Sequence, residues 1–173
     1  MKKAKKPVRK APVLKQVPAQ AVPKHRFWPY GLLLFVVLLL IDQYTKSIIL
    51  SIYAPNQSVK IFNGLWFTYV QNRGISWGLL QGINEMMIWL SVIAFGLLIF
   101  FYEKFETTLE KICLTLIFAG LWGNLLDRGV HGFVVDFIDV HWFPYVFNIA
   151  DSCITVAIVI LLLEQWKRSR AKA

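Results

Sequence analysis

The sequence predicts an all-α membrane protein, four transmembrane helices carrying a small extracytoplasmic β-hairpin. Three observations predict it. Four near-continuous apolar runs reach helix length, 57% of all residues are hydrophobic, and charge crowds toward the two ends of the chain. About 20 apolar residues span a bilayer's hydrocarbon core, whereas a soluble domain of 173 residues could not bury four such runs. The length favours one domain.

Residues 1–27 are rich in Lys, Ala and Pro and show neither helical nor strand period, so they read as a disordered basic cytoplasmic tail. The apolar run that follows is too long for the core of a cleavable signal peptide. A first span is expected from about Trp28 to Leu50, a second from Met86 to Tyr102, a third from Leu109 to Leu126, and a fourth from Phe143 to Gln165. The membrane domain is therefore placed at 28–166, with a second basic cytoplasmic tail at 167–173.

Orientation follows from Lys and Arg. Nine lie in the N-terminal tail, two in the turn 103–111 and four in the last seven residues, fifteen in all. Only Lys60, Arg73 and Arg128 fall on the other side. Cytoplasmic segments carry the excess of positive charge, so both ends are expected in the cytoplasm. The same distribution argues against nucleic acid as the partner of the +9 net charge, because the charge flanks spans rather than forming a face.

The outer segment 51–85 is too apolar for a linker. Val59–Phe62, then Asn63-Gly64, then Leu65–Val70 reads as a hairpin, with Asn-Gly in a type I′ turn that requires positive φ at both residues. Trp66, Phe67 and Tyr69 suit a platform on the membrane surface, and Ile75–Ile83 a short interfacial helix. Cys113 and Cys153 lie in apolar helical segments and read as packed thiols.

Charged groups inside spans cost at least about 3 kcal/mol on insertion scales, so each needs a reason. Asp42 and Lys46 are four apart on one helical face, where they neutralise each other and tie the first helix to its neighbours, or else relay protons. Gly120, Gly123, Asn124, Asp127 and Arg128 close the third helix. The glycines permit close helix approach, and the polar cluster admits a structural or a functional reading. Asp136 and Asp151 form the third group. With Pro144 opening the fourth helix, Asp151 would lie seven residues in, about 10 Å along the axis. If Asp136 folds back to it, the two can share one proton, one acting as base toward water and the other as acid. Buried acids of this kind also serve ion pathways, so a small proton-coupled transporter subunit is the alternative. No Gly-x-Ser-x-Gly elbow is present, and His25, His131 and His141 lack zinc-ligand spacing.

The blocks Asp42-Gln-Tyr-Thr-Lys46, Asn72-Arg-Gly74-Ile-Ser-Trp-Gly78, Gly123-Asn-Leu-Leu-Asp-Arg128, Val135-Asp-Phe-Ile138 and Phe147-Asn-Ile-Ala-Asp-Ser152 resemble, in order, the motifs of the lipoprotein signal peptidase (signal peptidase II) family. The resemblance covers about residues 28–166. It implies an aspartic endopeptidase of the bacterial inner membrane, with its active site toward the outer face. Such an enzyme removes the signal peptide of a prolipoprotein by cutting before the diacylglyceryl-modified cysteine. Asp136 and Asp151 match the catalytic pair, and Asn72, Asn124, Arg128 and Asn148 match polar positions around the substrate backbone. Asp42, Lys46, Gly74 and Asp127 match supporting positions. No metal or organic cofactor is implied. The expected partners are lipidated prolipoproteins and membrane lipid, the expected state is a monomer, and globomycin-type peptides are the expected inhibitors. Ile75-Ser-Trp-Gly78 departs from the smaller residues common in that block.

Overall fold

The computed structural model describes residues 28–74 and 83–172. The expected tail 1–27 lies outside them, as does the expected interfacial helix apart from Ile83. The elements run α1 (Trp28–Ile52), β1 (Ser58–Phe62), β2 (Leu65–Asn72), α2 (Ile83–Phe101), a 3₁₀ turn (Tyr102–Lys104), α3 (Thr108–His131), β3 (Val134–Val140) and α4 (Ile149–Lys172). All four α-helices are long and apolar enough to cross a bilayer.

Each helix start has a local cause where the sequence supplies one. Thr107 and Glu110 form a capping box: the Thr107 hydroxyl accepts the Glu110 N–H, and the Glu110 carboxylate accepts the Thr107 N–H. At the other end Gly132 takes φ 75° and stops α3, leaving two residues before β3 begins. Pro144 does not open α4, which begins five residues later than the proline. Residues before it are held extended, because Phe147 bridges Ile138 at the sheet edge and exchanges backbone bonds with it. Asp151 consequently sits in the first turn of α4, not seven residues inside it.

The hairpin is part of a three-stranded antiparallel sheet, ordered β1-β2-β3. Val70 pairs with Asp136 and Asn72 with Val134, so the long β2 carries Asn72 alongside the acid of β3. The Asn63-Gly64 turn departs from type I′: Gly64 has φ 95°, while Asn63 is not among the positive-φ residues, and the register slips between Lys60 and Phe62. The aromatics are not a common platform. Tyr69 is buried with Ile49, Val135 and Phe137, and Phe67 packs edge-on against Phe137. This cluster seals the sheet to the C-terminal end of α1.

α3 is the most buried helix and the hub of the bundle. Lipid tails are as apolar as the side chains they meet, so helices associate through close packing and polar bonds. Gly120 and Gly123 give α4 that approach. A Cβ on Gly120 would lie 2.6 Å from Ile154 Cγ1, and one on Gly123 3.3 Å from the Ala150 Cβ. Cys113 packs with Ile117 and Ala157 deeper along the same seam, and both cysteines are free.

Candidate active site

The first turn of α4 positions one acid. Asn148 stands just before the helix, and its Oδ1 accepts the Asp151 N–H at 2.9 Å, as a capping side chain does. The Asp151 carboxylate then meets α3, where Asn124 donates its amide to Oδ1 at 2.7 Å.

Strand β3 positions the other. Asp136 is 1% exposed, and both of its oxygens are bonded: Asn148 donates to Oδ1 at 2.7 Å and Asn72 to Oδ2 at 2.9 Å. Asn72 is itself oriented by the Gly74 N–H, which donates to its Oδ1 at 2.9 Å. Gly74 has φ 90°, a conformation that glycine adopts without strain. Burial pushes the Asp136 carboxyl up from 3.8 to about 7, and the Asp151 charge pushes the same way against the two asparagine bonds and the Lys46 charge. Asn148 also donates to Asn124 Oδ1 at 3.2 Å. The two acids are thus joined through one pair of asparagines.

Beneath them lies a buried ion cluster. Lys46 reaches Asp42 at 2.8 Å and Asp127 at 3.0 Å, with all three side chains 2% exposed. Its third proton goes to Asn124 Oδ1 at 3.1 Å, so every ammonium donor has a partner. Asp42 Oδ1 accepts the Ala150 N–H at 2.9 Å, and Asp127 Oδ2 accepts the Val135 N–H at 3.0 Å. Gln43, which sequence reasoning passed over, donates to Asp127 at 2.9 Å and to the Gly123 carbonyl at 3.3 Å. An amide in an otherwise apolar span was the signal for it.

Asp136 and Asp151 line one cavity of about 1070 Å³. Asn72 and Gly74 form part of its wall, and Phe143 to Phe147 and Thr155 supply an apolar side. Arg128 turns its Nη1 to the Asn124 carbonyl at 3.2 Å, while its Nε is buried without a partner among the described residues. Asp127 faces Lys46, not Arg128. Asn148 is fully buried, so its amide is spent on Asn124 and Asp136. Asp139 points away from the pair and accepts the Thr68 hydroxyl at 2.6 Å, which in turn bonds Ser58 at 2.7 Å. Among the described residues, no three His, Cys, Asp or Glu side chains gather into a metal site.

The chain as a whole has relatives. The family described as Signal peptidase (SPase) II matches residues 34–167. A lipoprotein signal peptidase of Fusobacterium nucleatum is 40% identical over 145 residues, covering 80% of this chain and 87% of its own. One from Syntrophomonas wolfei is 39% identical over 154 residues, covering 86% and 99%. Among solved structures, a bacterial membrane enzyme determined by the in meso method at 2.3 Å resolution superposes with a TM-score of 0.77. It shares 31% identity over 85% of this chain and 93% of its own.

Proposed function

Because this chain belongs to the signal peptidase II family, the bacterial membrane peptidases that remove signal peptides from prolipoproteins, we propose that Asp136 and Asp151 are its catalytic pair. The observation that carries the reading is their shared place on one cavity wall, coupled through Asn148 and Asn124. Nothing about this geometry favours the transporter alternative, and the family is one of peptidases.

Burial and the Asp151 charge raise the Asp136 carboxyl to about 7, so a proton is available on it near neutral pH. Water in the cavity attacks the scissile carbonyl carbon while the ionised carboxylate takes a water proton. The protonated carboxyl gives its proton to the carbonyl oxygen. As the gem-diol collapses, the carboxyl that took the water proton gives it to the departing nitrogen. The other carboxylate takes back a proton from the gem-diol hydroxyl, and the C–N bond breaks. The products are the carboxyl end of the signal peptide and the free amine of the lipidated cysteine. No covalent intermediate is needed.

The substrate we infer is a precursor whose cysteine carries diacylglycerol, with cleavage on the N-terminal side of that cysteine. Its apolar segment and lipid lie in the bilayer, and the apolar wall of Phe143 to Phe147 is suited to them. Charge asymmetry supports cytoplasmic ends, with the sheet and the acids toward the outer face. The test is incubation of purified protein with such a precursor: a shorter product is expected from the parent and none from Asp136→Asn or Asp151→Asn. Cleavage by both variants at the parental rate would exclude the aspartic mechanism.

A further inference from the structure

The buried cation of α1 is placed as no neutral helix contact requires. Each of its three partners grips a different part of the catalytic geometry. Asp42 holds the Ala150 N–H, one residue before Asp151, and Asp127 holds the Val135 N–H, one residue before Asp136. Asn124 holds the Asp151 carboxylate itself. Lys46 joins all three within 3.1 Å. Resting on the assignment of Asp136 and Asp151 as the catalytic pair, we propose that Lys46 is a positioning residue that sets the spacing and the charge of that pair from beneath.

Three features support this over a plain helix tie. A tie between α1 and α3 needs only the Lys46–Asp127 contact, yet Asp42 spends its second oxygen on α4, not on α3 or solvent. The grips of Asp42 and Asp127 fall on backbone N–H groups, so a shift of the ion cluster moves the chain that carries each acid and cannot be absorbed by a side-chain rotation. The cluster also has no slack. Gly123 packs against it so closely that a Cβ there would lie 2.5 Å from Asp42 Oδ2.

Charge is the second half of the role. The ionic groups around Lys46 are Asp42 on its own helix, Asp127 and Arg128 on α3, Asp136 on β3 and Asp151 on α4. Lys46 and Arg128 are the cations in this group of acids. The Lys46 charge opposes the rise of the Asp136 carboxyl that burial causes. Removing it leaves Asp136 holding its proton to higher pH.

Lys46→Met keeps the length of the stem and removes the charge. It is measured in detergent with a precursor peptide bearing a diacylglyceryl cysteine, across a range of pH. The expected result is a kcat about a hundredfold lower, the scale of a misplaced reacting group, with KM little changed. The alkaline limb of the kcat profile, set by Asp136, should move to higher pH. Should Lys46→Met not fold, Asp42→Asn and Asp127→Asn decide the matter, since each keeps its backbone grip and loses one ion pair. Both should lower kcat without raising KM. Parental kcat and an unmoved profile, in folded Lys46→Met or in both asparagine variants, overturn the proposal. Asp136→Asn is run alongside: its inactivity beside an active Lys46→Met removes only the positioning role, whereas its activity removes the aspartic reading.

Discussion

Asn148 donates its side-chain amide to Asp136 Oδ1 at 2.7 Å while its own Oδ1 accepts the Asp151 N–H at 2.9 Å. A single buried amide therefore starts the fourth helix and spans the pair of acids. Those two duties can be separated by substitution.

Asn148→Ser should retain the cap through its hydroxyl but lose the donor to Asp136, whereas Asn148→Ala loses both. Loss of the cap costs about 1 kcal/mol, so Ala should unfold at lower temperature than Ser. Both variants should cleave at least about tenfold more slowly, the factor that one hydrogen bond of about 1.4 kcal/mol carries. Thermal unfolding and cleavage rates measured together check this. A Ser variant with the parental rate would show that the donor to Asp136 is idle.

The pH dependence has a definite sign. Asp136 binds its proton more tightly when folded, near 7 against an ordinary 3.8. Its contribution to stability is therefore full below about pH 4 and is lost as pH rises through 7. Asp136→Asn cannot lose that proton. The unfolding temperature of the variant minus that of the parent should increase from pH 4 to pH 8, and parental kcat should decline above about pH 7. A difference that is flat with pH would mean that Asp136 titrates as an ordinary carboxylate.

Gly123→Ala tests the crossing that seats α4. Its Cβ would lie 2.5 Å from Asp42 Oδ2 and 3.2 Å from Asp42 Cγ. Asp42 is bonded at both oxygens and cannot swing aside. Overpacking of this kind typically costs about 1–3 kcal/mol. Gly129 lies on the same helix, and a built Cβ there meets no neighbouring atom of the described residues within 4 Å, so Gly129→Ala should be neutral or stabilising by up to about 1 kcal/mol. Equal unfolding temperatures for the two variants would remove the packing argument.

The four spans were legible because bilayer-length apolar runs have few other solutions, and the polar residues stood out because burial of charge is costly. The start of α4 was not legible from Pro144. What delays it is the pairing of Phe147 with Ile138, a contact between residues brought together only by the fold. The third strand was hidden for the same reason, since Val134–Val140 gains its partner from β2, more than sixty residues earlier. Asp42 and Lys46 showed their mutual pairing through helical spacing. The grip of Asp42 on the Ala150 N–H and of Asp127 on the Val135 N–H left no trace, because a backbone N–H has no sequence signature.

Topology is tested by reporters. With both ends cytoplasmic, a reporter after Ala173 should behave as cytoplasmic and one inserted at Gly64 as exported. Gly64 lies in the turn between β1 and β2, where no atom of the described residues approaches a built Cβ, so an insertion there disturbs little. The reverse pattern would put the acids on the cytoplasmic face and remove the lipoprotein substrate with them.

The sharpest test sets three acids of one region against each other. Asp136 and Asp139 lie three apart on β3, so strand alternation sends their side chains to opposite faces. One meets Asn72 and Asn148, the other Thr68, whose hydroxyl also bonds Ser58. Only Asp136 shares the cavity with Asp151. An asparagine preserves the shape of a carboxylate but cannot take a proton from water. Asp136→Asn and Asp151→Asn should each lower cleavage by at least about a hundredfold, the lower bound for general acid–base catalysis. Asp139→Asn keeps an acceptor oxygen for the Thr68 hydroxyl on the far face and weakens only its charge assistance, so it should keep most activity, with a stability cost of at most about 1 kcal/mol. The measurement is accumulation of uncleaved lipidated precursor in membranes carrying each variant at matched expression. If Asp139→Asn is inactive while Asp136→Asn cleaves, the working acid of β3 lies on the Thr68 face and the asparagine bridge through Asn148 serves the fold alone.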